Sequence, residues 1–181
     1  MSLMGMFNKA GYEASGVFMK HLLTKGFIPV VLKSEVSDHA ASDTTTYVDG
    51  TSLALGAKIL KAGRTLRITV GGTIAGANGA KAVTLYIDDG RIGVLTLASA
   101  TVGNFWAQWN IFEYTDYAHQ LVHGVCVAGT NAGATGIYAV DSATDTTNFA
   151  IAKTIKTEVY SAHASDTITQ KWCIFEMLPY A

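Results

Sequence analysis

Thr65–Ala75 reads TLRITVGGTIA, placing Leu66, Ile68, Val70 and Ile74 on one face of an extended chain and Arg67, Thr69 and Thr73 on the other. Successive side chains of a strand point to opposite faces, so this run buries an aliphatic face and solvates a polar one. The next run outward, Lys81–Ile87, sets Val83, Leu85 and Ile87 against Thr84, Tyr86 and Asp88. Similar runs recur as far as Met177. The candidate strands are Thr45–Val48, Ser52–Leu60, Thr65–Ala75, Lys81–Ile87, Ile92–Thr96, Asn104–Tyr114, Ala118–Ala128, Thr146–Lys156 and Thr167–Met177. Within Thr146–Lys156, Phe149, Ile151 and Ile155 form the expected inward set.

Between the runs stand Ala62-Gly63, Asn78-Gly79 and Asp88-Asp89-Gly90. These read as hairpin turns, because Asn and Asp tolerate positive φ and Gly meets no Cβ penalty there. Short strands at this even spacing predict an all-β fold, an antiparallel two-sheet jelly-roll sandwich of about eight strands. An immunoglobulin arrangement is disfavoured: Trp106 and Trp109 both precede Cys126 instead of lying between two cysteines.

Residues 1–45 differ in texture and read as an N-terminal arm, leaving 46–181 as the jelly-roll domain. Tyr12–Lys25 has helical spacing in Val17, Phe18 and Leu22, with Gly26 as a stop. Phe27–Leu32 is β-prone but holds Pro29, which favours an edge strand or extended arm, and Ser34–Ser42 reads as a polar linker. Phe18, Leu22 and Phe27 are the expected arm contacts, made either on the chain's own domain or on a neighbour.

The chain has 181 residues, 49% hydrophobic and only 15% charged, with net charge −1. That affords a sizeable core and excludes a disordered class. So low a charged fraction fits either a surface covered by other subunits or a plain Thr/Ser/Asn surface. Ile92–Ala152 contains no Lys or Arg, so duplex phosphates would go unneutralised and nucleic acid is not an expected partner. No window is apolar enough for a membrane span, and the N-terminus lacks the form of a signal peptide. Cys126 and Cys173 fit buried thiols or one cross-strand bridge, and form no zinc pattern.

Two strands break the alternation. Asn104–Tyr114 is apolar on both faces, with Phe105, Trp109 and Ile111 opposite Trp106, Phe112 and Tyr114. Thr167–Met177 does the same, with Trp172 and Ile174 opposite Cys173 and Phe175. A strand with two apolar faces is buried once in its own core and once under something else, a neighbouring subunit above all. The row Trp106, Gln108, Asn110, Phe112 and Tyr114 interleaves aromatic rings with amides. Such a row suits a subunit interface, and it also suits stacking on sugar rings.

Catalytic patterns are missing. His119 and His123, four apart on a strand, would sit about 13 Å apart, too far to share a metal. His39-Ala-Ala-Ser-Asp43 and His163-Ala-Ser-Asp166 are too local for a triad and read as turns. No nucleophile elbow, P-loop, metalloprotease helix or dinucleotide fingerprint occurs, and the turn acids Glu113/Asp116 and Asp88/Asp89 give no acid–base pair. A non-enzymatic protein without cofactor or metal is expected.

Three segments carry a family resemblance: AGRTLRITVGGTIAGANGAKAVTLYIDDG (62–90), NFWAQWNIFEYTDYAHQLV (104–122) and DTITQKWCIFEM (166–177). From about Gly63 onward the chain resembles single jelly-roll virion proteins of tailed bacteriophages, the capsid decoration (cement) proteins and parts of tail fibres or spikes. The resemblance implies a structural, commonly trimeric building block of the virion. Its implied partners are further copies of itself, a major capsid or other virion protein, and, for a fibre tip, a host glycan. It carries over no catalytic residues.

Overall fold

The computed structural model describes residues 29–42, 46–98, 101–113, 117–129 and 135–179, with 135–144 described by their backbone. The expected helix Tyr12–Lys25, the arm contacts Phe18, Leu22 and Phe27, and Tyr114 lie outside the described residues. The strands are β1 Val30–Ser42, β2 Val48–Leu55, β3 Thr65–Ala75, β4 Lys81–Ile87, β5 Gly90–Leu97, β6 Gly103–Glu113, β7 Gln120–Gly129, β8 Thr135–Asp145, β9 Lys153–Ser161 and β10 Thr167–Leu178.

They form a six-stranded sheet in the order β1-β10-β3-β6-β7-β8 and a four-stranded sheet in the order β2-β9-β4-β5. Setting the β7–β8 hairpin aside, β1 pairs with β10, β2 with β9, β3 with β6 and β4 with β5, each antiparallel. This nested pairing is one long hairpin wound on itself into two sheets, which is a jelly roll. The β7–β8 hairpin sits between the sixth and seventh strands of the roll and widens one sheet.

The core lies between the sheets. Leu66, Ile68 and Val70 of β3, Trp109 and Ile111 of β6, and Phe175 of β10 meet Val83 and Leu85 of β4, Leu95 and Leu97 of β5, and Ile155 and Val159 of β9, all fully buried. Each large side chain contributes roughly 1.5–3 kcal/mol by leaving water. Cys126 and Cys173 are free and buried. Cys173, Val70, Ala107 and Cys126 stand in one cross-strand row. Three strand spacings of about 4.8 Å keep the two sulfurs far beyond bridging distance.

Some expectations need correction. Of the two readings of Phe27–Leu32, edge strand or extended arm, Val30–Leu32 takes the first, and Ser34–Ser42, expected as a polar linker, continues the same edge strand β1, so the boundary at residue 45 does not separate it from the sandwich. As an edge strand with one partner it carries Lys33, Glu35, Asp38 and His39, and only Ala41 is completely buried. Edge strands protect themselves with such charges, and the same charges make a strand read as a linker. Residues 48–55 form the next strand in place of Thr45–Val48 and Ser52–Leu60, and Leu60 reaches the core from the following loop.

The strand expected at Thr146–Lys156 begins at Lys153 instead. Phe149 N–H donates to Tyr117 O and Lys58 N–H to Phe149 O, while Asn148 Oδ1 accepts from Ala150 N–H, so the segment is held as a turn. Phe149 still enters the core at 1% exposure, but Ile151 is 57% exposed and not inward. Strand β8 was not expected. Of the three turn signals only Asp88-Asp89-Gly90 closes a hairpin, with Asp88 at φ 51°. Ala62-Gly63 and Asn78-Gly79 lie in connections that pass from one sheet to the other, where Lys58, Gly63 and Gly76 carry positive φ.

Candidate functional site

The two strands expected to be apolar on both faces are neighbours of β3 on either side. On β6, Phe105, Trp109, Ile111 and Glu113 face inward, while Trp106, Gln108 and Asn110 are half-buried and Phe112 is 37% exposed on the outer face. On β10, Cys173, Phe175 and Met177 face inward, and Trp172 and Ile174 are half-buried outside. The register brings both outer sets together. Val36, Trp172, Gly71, Trp106 and Val127 form one row across five adjacent strands. Ser34, Ile174, Thr69, Gln108 and Val125 form the next row.

Gly71 makes the first row possible. A Cβ there would fall 2.2 Å from Trp172 Cε2 and Cζ2, so the indole lies directly over the bare backbone of β3. Trp106 flanks the same glycine from the other side in register. At the sheet edge Val36 stands 89% exposed beside Trp172, and Val31 is 58% exposed further along. This row is therefore apolar from the sheet's edge to its centre, while the next row mixes Ser34, Thr69 and Gln108 with Ile174 and Val125.

A β-bulge aims Trp172 outward. Ile168 and Gln170 face the core, so unbroken alternation would send Trp172 inward as well. The register shifts between Gln170 and Trp172, leaving Lys171 as the extra residue, and the inward set continues as Cys173, Phe175 and Met177. Bulges re-aim side chains in this way. Strand β1 shifts opposite, between Val36 and His39, and Lys171 pairs with Asp38 there. Gln170 is held inside by Thr51 Oγ1, to which it donates at 2.7 Å, and by the Thr157 hydroxyl, which donates to Gln170 Oε1 at 2.8 Å.

On this face the charged side chains gather in one row toward its end, with Glu176, Arg67, Asn110 and His123 in register. Arg67 and Glu176 approach at 4.0 Å, and His123 meets Phe112 edge-on at 6.1 Å between centroids. The edge-strand charges Lys33, Glu35 and His39 stand in register with Phe175, Cys173 and Gln170 and so lie on the inner side of the sheet, where His39 and then Lys33 hydrogen-bond Glu35 and lower its pKa. Among the described residues no group of three His, Cys, Asp or Glu side chains could hold a metal ion. His119 precedes β7 and only His123 lies on that strand.

A second cluster went unforeseen as a unit, although its halves, GANGAK and His163-Ala-Ser-Asp166, stand out in the sequence. Lys81 Nζ and Asp166 Oδ2 are 2.8 Å apart with both side chains at 0% exposure. Lys81 also donates to Gly76 O at 2.7 Å. Asp166 accepts from Gly79 N–H at 2.6 Å, from Asn78 N–H at 3.0 Å, and from the Asn78 side-chain amide at 3.1 Å. Burial alone would raise the Asp166 pKa, but Lys81 and these N–H donors outweigh it and hold the carboxyl well below the usual carboxylate range. The turn expected at His163–Asp166 is present, closed by Asp166 N–H to His163 O at 3.0 Å. No spacing rule links residues 81 and 166; only the fold brings them together.

No protein-family model matches the chain, and no curated protein matches it. Among solved structures it is similar to infectious bursal disease virus VP2 in a subviral particle, at 10% identity and a TM-score of 0.39, over 83% of this chain and 33% of that one. The chain thus spans about a third of the viral protein. It is also similar to lectin I of Ulex europaeus, in complex with the methyl glycoside of α-L-fucose, at 6% identity and a TM-score of 0.35, over 83% of this chain and 98% of that one. Likenesses of this size carry no argument about function.

Proposed function

We propose that the protein is a non-enzymatic structural component of a virion, a jelly-roll unit that self-associates through the outer face of its six-stranded sheet. The observation that carries this reading is the row Val36, Trp172, Gly71, Trp106 and Val127, apolar across five strands, with Val36 89% exposed and Trp172, Trp106 and Val127 each keeping part of their surface open. Tryptophans at the centre of an apolar patch with charge at its rim have the anatomy of an interface. The low overall charge and the three segments that resemble phage virion proteins support the same reading. On it the unit is a homotrimeric decoration protein seated on a capsid surface, with residues 1–28 available for contacts to a capsid protein or a neighbouring copy.

One observation favours a second reading. Gln108 and Asn110 stand half-buried between Trp106 and Phe112, so two amides lie between two rings on the outer face of one strand. That arrangement also fits a glycan-binding face at a fibre or spike tip. Sedimentation velocity over a range of concentrations, run beside a glycan array, separates the two. Self-association lost in Trp106→Ala and Trp172→Ala supports the interface. A monomer that binds glycans and loses them in Trp106→Ala supports the second reading.

A further inference from the structure

Asn78-Gly79 is the chain's only Asn-Gly dipeptide. In a free peptide this pair is the one most prone to deamidation, because glycine has no Cβ to hinder approach of its nitrogen. The Gly79 nitrogen loses its proton and bonds to Asn78 Cγ, while the Cγ–Nδ2 bond breaks and the amide leaves as ammonia. The resulting succinimide is opened by water to aspartate or isoaspartate. Both atoms that must move are held by one buried carboxylate. Gly79 N–H donates to Asp166 Oδ2 at 2.6 Å. The Asn78 side-chain amide donates to Asp166 Oδ1 at 3.1 Å and to Ser165 Oγ at 2.8 Å.

We propose that Asn78 is a latent covalent modification site, and that the Asp166 carboxylate, fixed by Lys81, keeps it closed by holding the nucleophile and the leaving amide apart. Removing the Gly79 proton would place a developing negative charge against a carboxylate with no access to water. The Asp166 carboxylate is itself a poor base, being already committed to Lys81 at 2.8 Å. Gly79 is pinned from its other side too, since a Cβ there would come within 2.6 Å of His163 Cβ. The product would destabilise the corner that held it. A new carboxylate at residue 78 would replace a donor with an acceptor 3.1 Å from Asp166, two like charges sharing one lysine. The corner joining β3 to β4 would then open, and the β9–β10 turn it grips would open with it.

The test incubates the full folded chain at mildly alkaline pH beside a peptide spanning residues 74–83, with isoaspartate at position 78 read by peptide mapping. The folded chain is expected to convert at least about tenfold more slowly, since reaction must wait for local opening. Asp166→Asn, verified as folded by circular dichroism, is expected to recover most of the peptide's rate. Equal rates in peptide and folded chain, or an unchanged rate in folded Asp166→Asn, would overturn the proposal. Should that variant not fold, amide exchange at Gly79 in the unaltered chain decides. Exchange as slow as the core strands supports a closed site, and exchange as fast as an open loop contradicts it.

Discussion

Gly71 shows how one missing Cβ shapes a surface. Thr69 and Thr73, its neighbours on the same face of β3, bear side chains, but here the backbone is bare and Trp172 settles on it, so the two indoles of the outer face can flank one glycine. Gly71→Ala puts a methyl into the Trp172 ring and is expected to cost about 1–3 kcal/mol. Denaturant unfolding followed by tryptophan fluorescence checks both the loss and the changed Trp172 environment. Asp166 is the second residue on which much depends. Its carboxyl ionises more readily folded than at its ordinary value of 3.8, so the stability it confers is complete above that value and is lost as the pH falls below it. The unfolding midpoint is therefore expected to drop between about pH 5 and pH 2. Asp166→Asn should start less stable at neutral pH and lack most of that drop.

At the scale of elements, strand β10 carries the most consequence, because its bulge decides what the outer face presents. Deleting Lys171 removes the extra residue and makes Trp172 the next residue after Gln170, so regular alternation keeps Gln170 inward and Trp172 outward. That variant is expected to keep cooperative unfolding and its near-ultraviolet circular dichroism, whereas an extra residue inserted after Trp172 would turn Cys173 and Phe175 outward and abolish both. Lys171→Ala, which loses only an exposed ion pair with Asp38, should stay within about 1 kcal/mol of the parent. The phase change is legible in the sequence, where apolar positions switch between Ile168 and Cys173, although strict alternation alone does not locate it. Period-two alternation did reveal β3, β4, β6 and β10 and the two apolar faces of the last pair. It failed at β1, whose edge charges resemble a linker, and at residues 146–152, where Phe149 reaches the core from a turn. The cross-strand row and the Lys81–Asp166 pair depend on register, which no local pattern encodes. The core strands also fix the thiols. Burial pushes Cys126 and Cys173 up to about 12. Neither is expected to react with a thiol reagent at pH 8 until the chain is unfolded, whereupon both should react.

For the whole molecule, the jelly roll closes one core and leaves one broad sheet face incompletely covered. The four-stranded sheet differs. Its outer side carries Tyr47 stacked on Tyr160 at 4.8 Å, and Lys156 bridging Asp49 and Glu158, so its polar groups satisfy one another. The asymmetry makes the six-stranded face the one that a second copy would cover. The chain's three tryptophans allow that claim to be tested in a single experiment. Trp109 is at 0% exposure in the core, while Trp106 and Trp172 lie on the face in question. Hydroxyl-radical footprinting, read by mass spectrometry at high and at low protein concentration, reports each indole separately. Self-association through this face predicts that Trp106 and Trp172 are protected when concentrated and become reactive on dilution, with Trp109 unreactive throughout. Equal reactivity of Trp106 and Trp172 at every concentration would contradict it.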